Sequence, residues 1–247
     1  MSPSLLKRRE AQAHGAVAMH EYETIPLQKG EARVAWKRHP RARRVSLRID
    51  PRAGSVVITL PRRGSRRAGM DLLMTHAAWV EDRLAALPDA VPFVDGAWLP
   101  VDDRPRPIHH VPGARSQIAD DRIVVGGEPA FLARRVSDLL RAEMRRRLVR
   151  MSHEKAVLIG CAPRRVTVKD TVSRWGSCAP DGALAYSWRL IFAPPAVQDY
   201  VAAHEVAHLA HMNHGPRFWA LVRTLTPHTE AAVNWLRREG PRLMRYG

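Results

Sequence analysis

The alternation of apolar and polar residues predicts β-strands in the first third of the chain. Three segments alternate in this way, ARVAWKR at 32–38, RRVSLRID at 43–50 and SVVITLP at 55–61, and in the second Val45, Leu47 and Ile49 share one face. The segment DPRAG at 50–54 has the composition of a turn between two of these strands. The pattern therefore predicts an antiparallel sheet.

Helical periodicity marks two further regions. Between residues 68 and 87, apolar residues recur at three- and four-residue spacing and predict one amphipathic helix, and a second, longer helix is predicted over residues 132–151, with arginines on its opposite face. Residues 91–127 are rich in Pro, Gly and Asp, which predicts short strands and turns. No sustained period is present in residues 1–28, which are expected to be a flexible N-terminus.

A second strand region precedes the last helices. RRVTVKDTVSRWGSC at 164–178 is strand-like, PDG at 180–182 predicts a hairpin turn, and ALAYSWRLIF at 183–192 alternates as a strand would. Pro194 and Pro195 can end that strand and begin a helix. We therefore expect a β-rich region with one helix at 29–127 and a second domain at 128–247.

Composition and charge narrow the class of protein. A hydrophobic content of 45% is ordinary for a globular chain, and the opening MSPSLLKRREAQAHG lacks the apolar segment of a signal peptide, so neither export nor a membrane anchor is expected. The two cysteines form no CxxC motif, which suits a cytoplasmic location. The net charge of +16 leaves nucleic acid open as a partner, but the arginines are dispersed without interleaved aromatic residues, which favours solvated faces.

The segment HEVAHLAHMNHGPRFW at 204–219 carries the candidate chemistry. His204, Glu205 and His208 form an HExxH motif, and helical spacing of four places both imidazoles on one face, about 6 Å apart along the axis. Two such imidazoles can bind one zinc ion. The glutamate beside the first histidine can then accept a proton from metal-bound water, as in metalloproteases.

The third ligand is less directly determined by spacing. His211 lies about 10.5 Å from His204 along a straight helix and cannot share its ion. His214 can reach that ion if the helix ends first, and MNHGP at 212–216 contains residues that favour such an end. His214 is therefore the predicted third ligand, with Glu230 as the alternative, while His211 is expected near the ligands or on the surface.

Three motifs together resemble one family. RWGSC at 174–178, YSWRLI at 186–191 and the segment 204–219 are similar to the successive motifs of the YgjP-like metal-dependent hydrolases, relatives of the SprT-like and WLM zinc proteases. The likeness extends from about residue 30. It implies an α+β fold in which residues 128–247 form a minimal zincin-like catalytic domain, an active-site helix beside a small sheet. It also implies zinc bound by His204, His208 and His214, with Glu205 as the acid/base.

The predicted function is that of a zinc metallopeptidase acting on a peptide or protein. Two alternatives stay open: a zinc-dependent hydrolase of nucleotide phosphoanhydrides, and a nucleic-acid-associated protein, which either cleaves DNA-bound proteins or holds a structural zinc. Residues 183–192 are the candidate edge strand for aligning a peptide. Arg174, Tyr186 and Arg217 are the candidates for contacting substrate and stabilising an oxyanion.

Overall fold

The structure is a computed structural model that describes residues 22–172 and 174–247. The contacts divide the chain into two compact units: unit 1 contains residues up to 49 together with 55–82, and unit 2 contains 50–54 and 83–247. The expected division at residues 127 and 128 differs from this grouping, because residues 83–127 join those that follow. That residues 29–127 and 128–247 fold as separate domains stays a prediction.

Unit 1 is built on a four-stranded sheet. Its elements are β1 (Tyr22–Pro26), β2 (Glu31–Arg38), β3 (Ser46–Asp50), β4 (Ser55–Leu60) and the helices α1 (Arg66–Thr75) and α2 (Ala77–Ala85), the last of which continues into unit 2. The sheet order is β1-β2-β4-β3. Strands β2 and β4 are parallel, so the predicted antiparallel sheet is wrong at this pair. Alternation determines the buried face of a strand but not its neighbour.

Two further differences concern the N-terminal region. Residues 1–21 of the predicted flexible segment 1–28 lie outside the described residues. Residues 22–26 of the same segment form β1, which pairs antiparallel with β2. The single helix predicted at 68–87 is two helices, because the chain leaves helical geometry at His76, where φ is −108° and ψ is 18°.

The described residues of unit 2 contain two small sheets and, besides the end of α2 and short 3₁₀ turns, four α-helices. Its elements are β5 (Trp98–Val101), β6 (Arg104–His110), β7 (Gln117–Ile118), β8 (Ile123–Val125), α3 (Leu132–Leu158), β9 (Arg165–Lys169), β10 (Gly176–Cys178), β11 (Ala183–Ser187), α4 (Pro195–Ala207), α5 (Pro216–Leu225) and α6 (Thr229–Leu243). The sheet orders are β5-β6-β8-β7 and β10-β11-β9. This mixture of helices and small sheets agrees with the predicted α+β class. Among the described residues, every helix is too short or too polar to cross a lipid bilayer.

Helix α3 is the support on which α4 rests. Its apolar stripe, Val136, Leu140, Met144 and Leu148, is fully buried in the main core of unit 2, where α3 contacts α4, β9 and the segment after β11. Burial of such a stripe contributes roughly 2 kcal/mol for each large side chain. The predicted helix at 132–151 is confirmed and continues to Leu158.

The segment after β11 departs from its prediction. Residues Trp188–Phe192 form a 3₁₀ helix rather than a continuing strand, and all five are buried, so the alternation there does not reflect an exposed face. The side chain of Ser187 caps the turn by accepting from the Arg189 backbone N–H. The Arg189 guanidinium, 1% exposed, donates to Asp170 and to the backbone carbonyls of Leu243 and Tyr246.

A turn with unusual backbone geometry holds the start of α4. Asp102, between β5 and β6, has a φ of 58° and accepts hydrogen bonds from Arg147 of α3 and from Gln198 of α4. Arg147 also donates to Glu143. Hydrogen bonds from Arg146 and then Arg147 lower the pKa of Glu143 to about 2 against the opposing effect of burial. This network connects α3, α4 and the β5–β6 turn.

Candidate metal and active site

Helix α4 carries the HExxH motif in its last turn. Nine of its 13 residues are buried, and it begins at Pro195, where proline is tolerated because the first-turn N–H groups have no intrahelical acceptor. The helix ends at Ala207 with His208 as its C-cap. The prediction that residues 212–216 end this helix was wrong: within that segment Asn213 is not left-handed, and Gly215 has a φ of −75° and serves as the N-cap of α5.

Ending at His208 leaves His214 on the loop between α4 and α5, from which it reaches the other two histidines. The Nε2 atoms of His204 and His214 are 3.2 Å apart, and one ligand atom from each of His204, His208 and His214 lies within 4.8 Å of the others. Nitrogen atoms at 2.0–2.1 Å from a tetrahedral zinc are about 3.4 Å apart. The three imidazoles can therefore share one ion.

Contacts on the far side of two rings indicate which nitrogen would face a bound ion. The Nδ1–H of His208 donates to the backbone carbonyl of His211 at 3.0 Å. The hydroxyl of Tyr200 lies 3.5 Å from Nδ1 of His204, one helical turn away. Such outer contacts hold the ring and leave Nε2 free as the ligand. His211 thus contributes its carbonyl, and Tyr200 was missed although its i, i+4 spacing from His204 was visible.

The environment of His204 and His208 favours the neutral imidazole, which a metal ligand requires. Burial, followed by the charges of His208 and His214, lowers the pKa of His204 to about 4. Burial also lowers the pKa of His208, partly offset by its bond to the His211 carbonyl. The donor set therefore fits a divalent cation such as zinc.

Two aromatic residues of α5 support the cluster, and sequence reasoning assigned them no role. Phe218 is fully buried and its ring centroid lies 4.5–5.0 Å from those of the three imidazoles. Trp219 stacks on His214 with an interplanar angle of 29°. Their position one turn after His214, within the motif, was the available signal.

Glu205 lies beside the cluster in a confined space. Its side chain is 5% exposed, and an ideal Cβ on Gly176 of β10 would be only 2.5 Å from its Cγ and Oε1 atoms. Glycine at 176 is therefore what lets the strand approach the carboxylate. Burial raises the pKa of Glu205 to about 7, against the opposing charge of Arg174. A carboxyl with that pKa can accept and release a proton near neutral pH.

The edge strand beside this carboxylate is β10, not the predicted segment 183–192. Strand β11 lies between β10 and β9, so both its edges are occupied. In β10, Trp175 and Ala179 bond to β11 on either side of the strand, so by alternation the N–H and C=O groups of Gly176 and Cys178 point away from it. No described residue bonds to them there.

The remaining predicted site residues have different environments. Glu230 is exposed in the first turn of α6 and is not part of the histidine group. Tyr186 is 1% exposed, burial raises its pKa, and its hydroxyl is 2.9 Å from that of Ser152, so the prediction that it contacts substrate is corrected to a core role. Arg174 and Arg217 are exposed, and their predicted substrate contacts stay predictions.

Comparison with known proteins identifies the family. A family model described as "YgjP-like, metallopeptidase domain" matches residues 43–239, which is most of the chain. No curated protein and no solved structure matches. The matched range contains the histidine cluster, Glu205 and β10.

Proposed function

The chain belongs to the YgjP-like metallopeptidase family, and on that premise we propose that it is a zinc-dependent peptidase. His204, His208 and His214 hold the ion, and Glu205 is the acid/base. The observation that carries the proposal is the set of three imidazoles converging next to a buried carboxylate.

The separate roles of the metal and of Glu205 follow from their charges. When bound, zinc supplies a Lewis acid that makes water easier to ionise and polarises a carbonyl. His204, His208 and His214 are uncharged as ligands, so they would leave a bound ion its full charge for polarising water or a carbonyl. Glu205 accepts the proton of the attacking water and delivers it to the leaving amine. Its confinement by Gly176 keeps the carboxylate in one place during both transfers.

The substrate peptide pairs with the outer edge of β10. The outward N–H and C=O groups of Gly176 and Cys178 can extend the sheet by one strand directly beside Glu205. Cys178→Pro removes one of these donors without removing a bond to β11, so KM for a long peptide should rise while zinc content persists. Cys178→Ala, which also lacks the thiol but keeps the N–H, is the matched control. An unchanged KM in the proline variant would contradict this alignment.

The decisive experiment is Glu205→Gln. The near-isosteric amide should preserve the fold and zinc content but reduce peptide hydrolysis by about 10² to 10⁴. Zinc content, melting temperature and turnover are measured on one preparation. A purely structural zinc predicts a different result, because no turnover would then depend on Glu205 and metal removal would mainly unfold the protein. Full turnover in Glu205→Gln excludes the proposed chemistry.

The other hypotheses from the sequence are not part of this proposal. Hydrolysis of nucleotide phosphoanhydrides and action on DNA-bound proteins stay predictions, as does a cytoplasmic location. Peptide cleavage is preferred because the matched family model is a metallopeptidase domain. A parallel screen of peptides and nucleoside triphosphates separates the two chemistries, and loss of turnover in Glu205→Gln is expected in whichever of them the wild-type protein catalyses.

A further inference from the structure

A cleft of about 250 Å³ lies between the segment leading into β10 and the end of α6. Val172, Arg174 and Trp175 line one side, and Leu236, Arg237 and Met244 line the other. The cleft combines apolar walls with two guanidinium groups, and its lining contains no acidic residue. Such a lining suits a ligand that has an apolar body and a negative charge.

The two arginines differ from most of their neighbours in making no direct ion pair, although the charge of Arg174 acts on Glu205 from a distance. Arg174 and Arg237 are exposed, and neither forms an ion pair or side-chain hydrogen bond with another described residue. Arg238, the next residue of α6, donates to Glu239 at 2.9 Å. Around Asp170, three arginines share one carboxylate: Arg52, Arg141 and Arg189. The guanidinium groups of the cleft are therefore available to an anion from outside.

The cleft opens at the start of the substrate edge. The backbone carbonyl of Trp175 accepts a hydrogen bond from the Ser187 N–H at 2.8 Å, which fixes Trp175 in the sheet. The indole of Trp175 lies 3.2 Å from an ideal Cβ on Gly240. The next residue, Gly176, is the one that contacts Glu205. A peptide paired with β10 thus passes the mouth of the cleft within a few residues of the reacting bond.

We propose that this cleft binds a carboxylate of the substrate peptide and so makes the enzyme selective for acidic substrates. The inference rests on the proposed peptidase function. Val172, Trp175 and Leu236 contact the aliphatic stem, while Arg174 and Arg237 donate charge-assisted hydrogen bonds to the carboxylate. Replacing the carboxylate by an amide should lower kcat/KM about tenfold or more.

The experiment uses the zinc-loaded full chain and one neutral peptide in which glutamate, glutamine or lysine is placed at each position in turn. Each peptide is made with a free and with an amidated C-terminus, which distinguishes a side-chain carboxylate from a terminal one. We expect glutamate, or the free terminus, to be preferred at one position. Arg237→Glu should abolish this preference and favour lysine there. Arg238→Glu changes the net charge equally but does not line the cleft, so it should keep the preference.

Binding of the same fluorescently labelled peptides to the Glu205→Gln protein, with and without Arg237→Glu, is measured by anisotropy. Loss of selective binding in the double variant supports the cleft independently of turnover. Cleavage with no acidic preference, or equal loss of preference in Arg238→Glu, overturns the inference but leaves the peptidase. If no peptide is cleaved and no binding preference is found, the proposed function and the cleft assignment both fail. Selective binding without cleavage overturns only the peptidase.

Discussion

Gly176→Ala should disable the enzyme without removing its metal. An ideal Cβ at this position would lie 2.5 Å from Cγ and Oε1 of Glu205 and 2.7 Å from its Cδ. Ordinary contacts between such atoms begin near 3.5 Å, so about 1 Å must be gained by movement. Glu205 lies in the buried last turn of α4, and Gly176 is in a strand bonded to β11. The carboxylate, as the least restrained group, is expected to move.

A displacement of about 1 Å at a catalytic group can cost about 10² in rate, and overpacking typically costs about 1 to 3 kcal/mol of stability. We therefore expect kcat on a peptide to fall about 10²-fold and the melting temperature to fall by several degrees. Zinc content, measured by metal analysis, should stay near one per chain because the three atoms nearest to the new methyl group all belong to Glu205 and not to a histidine.

Gly215→Ala is the matched control. An added Cβ there meets only Asn213 Oδ1 at 3.5 Å, an ordinary contact, and the φ of −75° is accessible to alanine. Turnover in this variant should stay within about twofold of wild type, which is below 1 kcal/mol. The reasoning is refuted if Gly176→Ala keeps wild-type kcat at full zinc occupancy, since Glu205 would then not need its confined position.

Three further outcomes follow. His214→Ala should weaken zinc binding far more than His211→Ala in a competition titration with a chelator, because His211 contributes only a carbonyl; the reverse order would refute the assigned set. Tyr186→Phe should lower the free energy of unfolding by about 1 kcal/mol through the bond lost to Ser152, with turnover unchanged in the same preparation; lost turnover would restore its substrate role. The pKa of Glu143 is lowered in the folded state, so its carboxylate adds stability that is complete above the unfolded pKa near 4.5 and is lost as pH falls toward 2. Glu143→Gln should therefore lower the free energy of unfolding by about 1 kcal/mol at pH 7 and by less at pH 3. An equal loss at both pH values in denaturant titrations would contradict this linkage.

Local spacing was sufficient for the part of the site that one helix carries. His204, Glu205 and His208 are positioned by helical geometry alone, so their convergence could be predicted. His214 was also predicted, but for a different local reason, because the helix ends at Ala207, before the segment 212–216 that was expected to end it. The residues that end a helix compete with tertiary packing, which a single sequence does not reveal.

Features that depend on contacts between distant segments were the ones missed. Alternation at 183–192 predicted a strand, yet complete burial of Trp188–Phe192 allowed a 3₁₀ helix with the same apolar residues. The sequence of a strand likewise does not show which strands lie beside it. For this reason β11 was predicted to be the edge strand, whereas the edge strand is β10. Tyr186 has the chemistry of a substrate contact, but its hydroxyl is used inside the core.

The guanidinium of Arg189 has a consequence for the order in which unit 2 folds. Two of its acceptors are carbonyls more than fifty positions away in sequence, those of Leu243 at the end of α6 and of Tyr246 just after it. Asp170 balances the charge of Arg189, but until those residues arrive the segment between β11 and α4 cannot leave water without leaving Nη1 of the guanidinium unpaired. During synthesis, α3 and the helix that carries the HExxH motif emerge first but must wait for α6 before their shared core can close. The site should therefore mature late and cooperatively, and intermediates that lack α6 should expose the apolar faces of α3 and α4 to chaperones and proteases.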